Sequence, residues 1–215
     1  MTFSVAKNKI HIPGILFFLL ATVVNAQQPG FTFQQAERWR VPFSSGFEKA
    51  LYKSSMDIGK NHLSGILLTK RMNDSTFRVV FANEVGMTYF DLEIRKTSAE
   101  VKSVFPAMDR KSFLSVLEQD FRMIFFRDPT IWKMKTTKDC GNDSTMIYQA
   151  QSQFGIWNYT LRCGSLDLLE ITSSRKYFQK TNIRFLYGDT GIPAEIFILN
   201  PNIRHTFHLT LLSNQ

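Results

Sequence analysis

The sequence predicts a mainly β, α+β domain. One long antiparallel sheet of ten or eleven strands curls into an incomplete β-barrel, and an amphipathic helix covers it. Three observations predict this. Short runs of alternating apolar residues recur about every 10–12 residues, with turn residues between them. One segment, Asp109 to Phe126, leaves that period and carries its apolar residues at helical spacing. The chain also holds 20 Phe in 215 residues, most at alternating positions of the strand-like runs. Either the core is unusually aromatic or the sheet lines an apolar cavity.

Residues 1–26 read as an export signal. Lys7 and Lys9 give a basic start, Ile12 to Val24 is apolar, and Val24-Asn25-Ala26 fits signal-peptidase cleavage. An apolar run of about 13 residues is shorter than the roughly 20 that a membrane-spanning helix needs. No Cys follows the expected cut to carry acyl chains. The expectation is a protein released into the periplasm or secreted, without a lipid anchor. Residues 27–47 read as an arm, with a short helix around Gln34–Arg40, and residues 48–215 as one domain.

Within that domain, Glu48–Gly59 alternates, with Tyr52, Ser54, Met56 and Ile58 on one face. Asn61-His62 reads as a turn and His62–Met72 as the next strand. Asn73-Asp74 turns into Thr76–Ala82, where Phe77, Val79 and Phe81 share a face. Met87–Arg95 aligns Phe90, Leu92 and Ile94, and Ala99–Phe105 is a fifth strand. Pro106 ends the sheet, Asp109 reads as an N-cap, and Phe113, Leu117, Phe121 and Ile124 form the apolar stripe of the helix. In the second half, Met146–Ala150 and Ile156–Cys163 read as a hairpin turning near Gln151–Ser152, with Trp157 and Tyr159 on one face. Leu166–Ser173, Asn182–Gly188, Ala194–Leu199 and His205–Leu212 follow. One helix cannot cover so many strands, so the sheet must curl on itself.

The sequence shows no nucleophile elbow, metalloprotease motif, phosphate loop or dinucleotide fingerprint. His205 and His208 are three apart in a strand, so they face opposite ways and cannot share a metal, and the reading for all three histidines after the signal, His62 included, is surface or edge. Asp91 and Glu93 are two apart on one strand face, a placement that could serve a pair for acid–base work. They read as the wet alternates of Phe90, Leu92 and Ile94, and Glu118 and Asp120 as the wet side of the helix. No enzyme activity, metal or cofactor is expected. Basic residues exceed acidic ones, 26 to 18, but they are scattered singly, so no nucleic-acid partner is expected.

Cys140 and Cys163 are the only cysteines. They lie equidistant from the expected hairpin turn, which suits a disulfide; two unpaired thiols are the alternative. Asp74-Ser75-Thr76 and Asp143-Ser144-Thr145 repeat one tripeptide in turns. They match a short O-glycosylation pattern at Ser75 and Ser144, and Asp-Ser is equally a turn former.

From Tyr52 to Phe126 the order is strand–turn–strand (Lys70–Phe81), then Asn83-Glu84-Val85-Gly86-Met87-Thr88-Tyr89-Phe90-Asp91-Leu92, a strand, Phe105-Pro106 and an amphipathic helix. This order, with the ending Ile192-Pro193-Ala194-Glu195-Ile196-Phe197-Ile198-Leu199-Asn200, resembles LolA/LolB-like periplasmic proteins. The resemblance implies a strongly curved open barrel whose interior holds a lipid or lipoprotein acyl chain. The residues that would line it are Phe77, Val79, Phe81, Phe90, Leu92, Phe113, Leu117, Phe121, Trp157 and Tyr159. It also implies an Arg inside the cavity, a role for which Arg78 qualifies only with its strand face reversed. The alternative is an envelope interaction or assembly module with a solid core, its partner another envelope protein.

Overall fold

The computed structural model describes residues 39–43, 46–126, 133–141, 144–152, 155–174 and 181–214. The expected signal, and the expected helix up to residue 38, lie outside them.

Five strands run as a meander: β1 (Lys49–Ile58), β2 (Asn61–Asn73), β3 (Thr76–Ala82), β4 (Thr88–Arg95) and β5 (Ala99–Val104). A 3₁₀ turn at Pro106–Met108 leads into helix α1 (Lys111–Phe125). Seven strands follow: β6 (Lys133–Lys138), β7 (Thr145–Ser152), β8 (Gly155–Arg162), β9 (Leu168–Ser174), β10 (Asn182–Tyr187), β11 (Pro193–Asn200) and β12 (His205–Asn214). All belong to one sheet, in the order β5-β4-β3-β2-β1-β12-β11-β10-β9-β8-β7-β6. Every pairing is antiparallel, including β1 with β12. The sheet is therefore open rather than a closed barrel, and its two edges, β5 and β6, are the strands that α1 connects. Helix and seam are linked by the order of the chain itself.

Alternation carries the fold. Tyr52, Ser54 and Met56 of β1 are buried while Leu51, Lys53 and Asp57 are exposed. Phe77, Val79 and Phe81 of β3 and Phe90, Leu92 and Ile94 of β4 face the same core. At Gly65 the sheet bends so tightly that an added Cβ would meet the Ala82 carbonyl oxygen at 2.0 Å, a close approach only glycine permits. The open edge at β5 is blunted by charge: Glu93 and Glu100 pair with Arg95 and Lys102, which discourages another chain from adding there.

Several local expectations are corrected. The β1–β2 turn is Gly59-Lys60, not Asn61-His62; Gly59 has φ +63°, a value glycine supplies without strain. Arg110, not Asp109, caps α1, because Asp109 donates its N–H to Pro106 O and is held in the preceding 3₁₀ turn. A twelfth strand, β6, is present; its sequence Lys-Met-Lys-Thr-Thr-Lys is too polar to read as one, as suits an edge. Trp39, Phe43 and Phe47, in the segment read as an arm, are buried in the core.

The hairpin of β7 and β8 pairs Thr145 with Arg162 and Ser152 with Gly155, so it turns past Ser152 and not at Gln151–Ser152. In this register the Cys163 N–H donates to Ser144 O at 2.8 Å, and Cys140 reaches Cys163 from the β6–β7 connection. The two form a disulfide, Cα–Cα 5.8 Å, across 23 residues. In the loop-entropy picture a closure of this length is worth about 3 kcal/mol. Reduction, or Cys140→Ser with Cys163→Ser, is expected to lower unfolding free energy by that amount in urea titration.

Candidate functional site

The concave side of the sheet and α1 enclose an interior built of aromatic rings. Phe77 stacks on Phe125 of α1 at 4.4 Å between ring centroids, and Phe90 meets Phe121 at 6.1 Å. Phe207 of β12 approaches Phe81, Phe90 and Phe121 at 5.3, 6.4 and 6.3 Å. Of the ten residues expected to line a cavity, eight (Phe77, Val79, Phe81, Phe90, Leu92, Phe113, Leu117 and Phe121) come from β3, β4 and α1, and all eight are buried in this core. Trp157 and Tyr159 of β8 are buried too, and Tyr159 packs on Trp39 at 4.7 Å.

One cleft opens beside this interior. Its volume is about 540 Å³, and it lies where the Gly59-Lys60 turn, the 3₁₀ turn, the start of α1 and the β11–β12 link converge. Ile58, Leu63, Phe105, Met108, Phe113 and Ile203 supply its apolar walls; Lys60 and Arg110 supply its charges, and His62 lines it as well. Phe105 is 37 % exposed there. Phe113 is the residue shared by this cleft and the expected lining set. The rest carried no sequence signal, because three segments far apart in the chain build the cleft.

Directly behind its wall sits a polar pair that the sequence reading placed on the surface. Asp120 of α1 is 1 % exposed and His205 of β12 is 0 % exposed, with His205 Nδ1 3.8 Å from Asp120 Oδ2. None of their four side-chain N and O atoms has a hydrogen-bond partner. Burial pushes His205 down to about 4 and raises Asp120 well above its ordinary value, so both shifts favour the uncharged forms. His205 pairs in register with Ile58 of the cleft wall, and its ring meets Phe113 edge-on at 5.7 Å.

The remaining candidates face outward. Arg78 makes a two-pronged ion pair with Asp91, at 2.9 and 2.6 Å, on the outer face, so it is not the interior Arg that the resemblance implied. Glu93 bonds Arg95. His62 binds Asp57 at 2.7 Å, and the Asp57 carboxyl is held low by hydrogen bonds from His62 and Thr206. His208 meets Glu195 at 3.0 Å. Glu118 lies near Arg122, 3.7 Å away. Ser75 is exposed, its N–H and hydroxyl both donating to Asn73 Oδ1, a side-chain-closed turn; Ser144 is exposed beside the disulfide. Among the described residues no group of three or more His, Cys, Asp or Glu could hold a metal, and no helix is long and apolar enough to cross a membrane.

No family model and no curated protein matches the chain. Among solved structures it is similar to the LolA superfamily protein NE2245 from Nitrosomonas europaea, with a TM-score of 0.56 at 7 % identity over 81 % of this chain and 88 % of that one. The chain has a LolA-like fold. It is also similar to a DUF1329 family protein from Desulfovibrio piger, with a TM-score of 0.50 at 9 % identity over 80 % of this chain and 86 % of that one. In this fold α1 connects the two edges of the sheet in chain order and packs its rings on β3, β4 and β12, and the cleft lies at the start of α1.

Proposed function

We propose that this protein is an exported, non-enzymatic carrier that binds the acyl chain of a lipid or lipoprotein between the curved sheet and α1, and that the cleft is where the chain enters. The observation that carries the reading is the apolar cleft of about 540 Å³, a volume within the roughly 300–1,000 Å³ of small-molecule sites. It sits at the start of the helix that connects the two sheet edges along the chain. The LolA-like fold and the aromatic interior support the same reading. Burial of apolar surface at roughly 25 cal/mol per Å² supplies the affinity without covalent chemistry. Cleavage of the signal after Ala26 would place the protein in the periplasm or outside the cell.

A specific observation favours the second reading, an envelope interaction module. The interior rings already touch one another, Phe77 against Phe125 most closely. The experiment that separates the two is solvent extraction of the protein purified from a bacterial periplasm, followed by mass spectrometry and titration with a fluorescent fatty-acid probe. The carrier reading expects about one acyl lipid per chain, or a saturable and displaceable probe. Neither lipid nor probe binding would overturn it.

A further inference from the structure

We propose that the cleft selects a ligand with an acidic head: a single-chain anionic amphiphile, of which a long-chain fatty acid is the type. The head lies at Lys60 and Arg110 and the chain on the apolar wall below. This rests on the acyl-binding reading above and names the substrate class of the same site.

Charge complementarity carries the inference. Lys60 and Arg110 are both exposed, both line the cleft, and among the described residues neither makes an ion pair. His62, also in the cleft lining, is already held by Asp57 at 2.7 Å. Asp109 precedes Arg110 but does not line the cleft. The start of α1 adds positive potential at the same place. Its cap residue is Arg110, no side chain caps it, and its first turn contains no acidic residue. A helix N-terminus ordinarily attracts Asp or Glu, and cations there are unfavourable. Here Arg110 and Lys111 open the helix, against that preference, and the free N–H groups of its first turn lie among the residues lining the cleft. An anion at this position relieves the repulsion and accepts from those donors.

The apolar side of the site fixes the rest of the ligand. Phe105 and the walls at Ile58, Met108 and Phe113 begin immediately beside the cations, so head and chain of one molecule are served together. A free phosphate or a soluble acid uses the cations and leaves the apolar wall wet. A neutral lipid uses the wall and leaves the cations unpaired.

The test uses the full chain with cis-parinaric acid and its methyl ester as fluorescent probes. Binding of the acid is expected to be saturable and about tenfold tighter than that of the ester. Lys60→Glu with Arg110→Glu, two changes at exposed positions, is expected to remove that preference, with a melting temperature no lower than the parent's because an acid suits the start of α1. Inorganic phosphate at millimolar concentration is expected not to displace the acid. Equal binding of acid and ester, indifferent to the double reversal, overturns the head site and leaves the carrier reading standing. Displacement of the acid by phosphate alone overturns the amphiphile in favour of a simple anion. Binding to phosphatidylglycerol vesicles that depends on Lys60 and Arg110, with no retention of the free acid, overturns it in favour of a membrane surface. Binding of neither probe overturns the carrier reading as well.

Discussion

Asp120→Asn is expected to make the fold acid-sensitive, with about 3 kcal/mol of unfolding free energy lost between pH 6.5 and pH 4. The reason lies in the proton count of the buried pair. His205 is held at about 4 in the folded protein by burial alone, against about 6.5 when unfolded. By itself it binds fewer protons folded than unfolded across that window, so its contribution to stability falls as the pH falls. Asp120 has the opposite sign. Burial raises it well above 3.8, so it keeps a proton that the unfolded chain releases, and its contribution falls as the pH rises. Wherever Asp120 still holds that proton below pH 6.5, folded and unfolded states carry one proton each on the pair, and the two slopes cancel.

Asn removes one of the cancelling terms and leaves His205 uncompensated. The mirror variant, His205→Leu, leaves Asp120 uncompensated and is expected to lose stability progressively as pH rises above about 3.8. Replacing both by leucine removes two unsatisfied groups together, and a gain of about 1–4 kcal/mol is expected. Urea unfolding followed by tryptophan fluorescence at pH 4, 5, 6.5 and 8 measures all three. An Asp120→Asn midpoint that tracks the parent between pH 6.5 and 4 would show that His205 is not buried in its neutral form.

The same pair shows what the sequence could and could not tell. Strand faces were legible because alternation is a local property: Phe77, Val79 and Phe81, or Phe90, Leu92 and Ile94, read directly into the core. Asp120 was legible by the same arithmetic on a helix. It lies seven residues after Phe113 and three after Leu117, in the middle of the apolar stripe. Its charge argued for solvent, and position won over residue type. His205 likewise stands in phase with Phe207 and Leu209, at the buried positions of β12. β6 was hidden because Lys-Met-Lys-Thr-Thr-Lys holds one apolar residue and so shows no alternation to read. The cleft had no local signal at all: Ile58, Phe105, Arg110 and Ile203 become neighbours only when β1 pairs with β12 and α1 packs on the sheet.

Phe121→Ala tests whether the interior between α1 and the sheet can hold a chain. Phe121 is almost wholly buried and its ring faces Phe90, Phe125 and Phe207 at 6.1, 5.9 and 6.3 Å. Truncation removes a phenyl from the contact between α1 and the sheet, and about 3–5 kcal/mol of stability is expected to go with it, in proportion to the void that survives relaxation. An apolar void of this kind stays dry and accepts apolar guests. If the acyl chain travels between α1 and the sheet, the new space lies on its path. A saturating fatty-acid probe at about a hundred times its dissociation constant then restores about 2.7 kcal/mol. Calorimetry with and without the probe reads both numbers. A loss of the expected size that the probe does not restore, with the parent protein equally indifferent to it, would mean that the rings fill the interior as structure alone. The cleft would then be a surface feature rather than the mouth of a carrier.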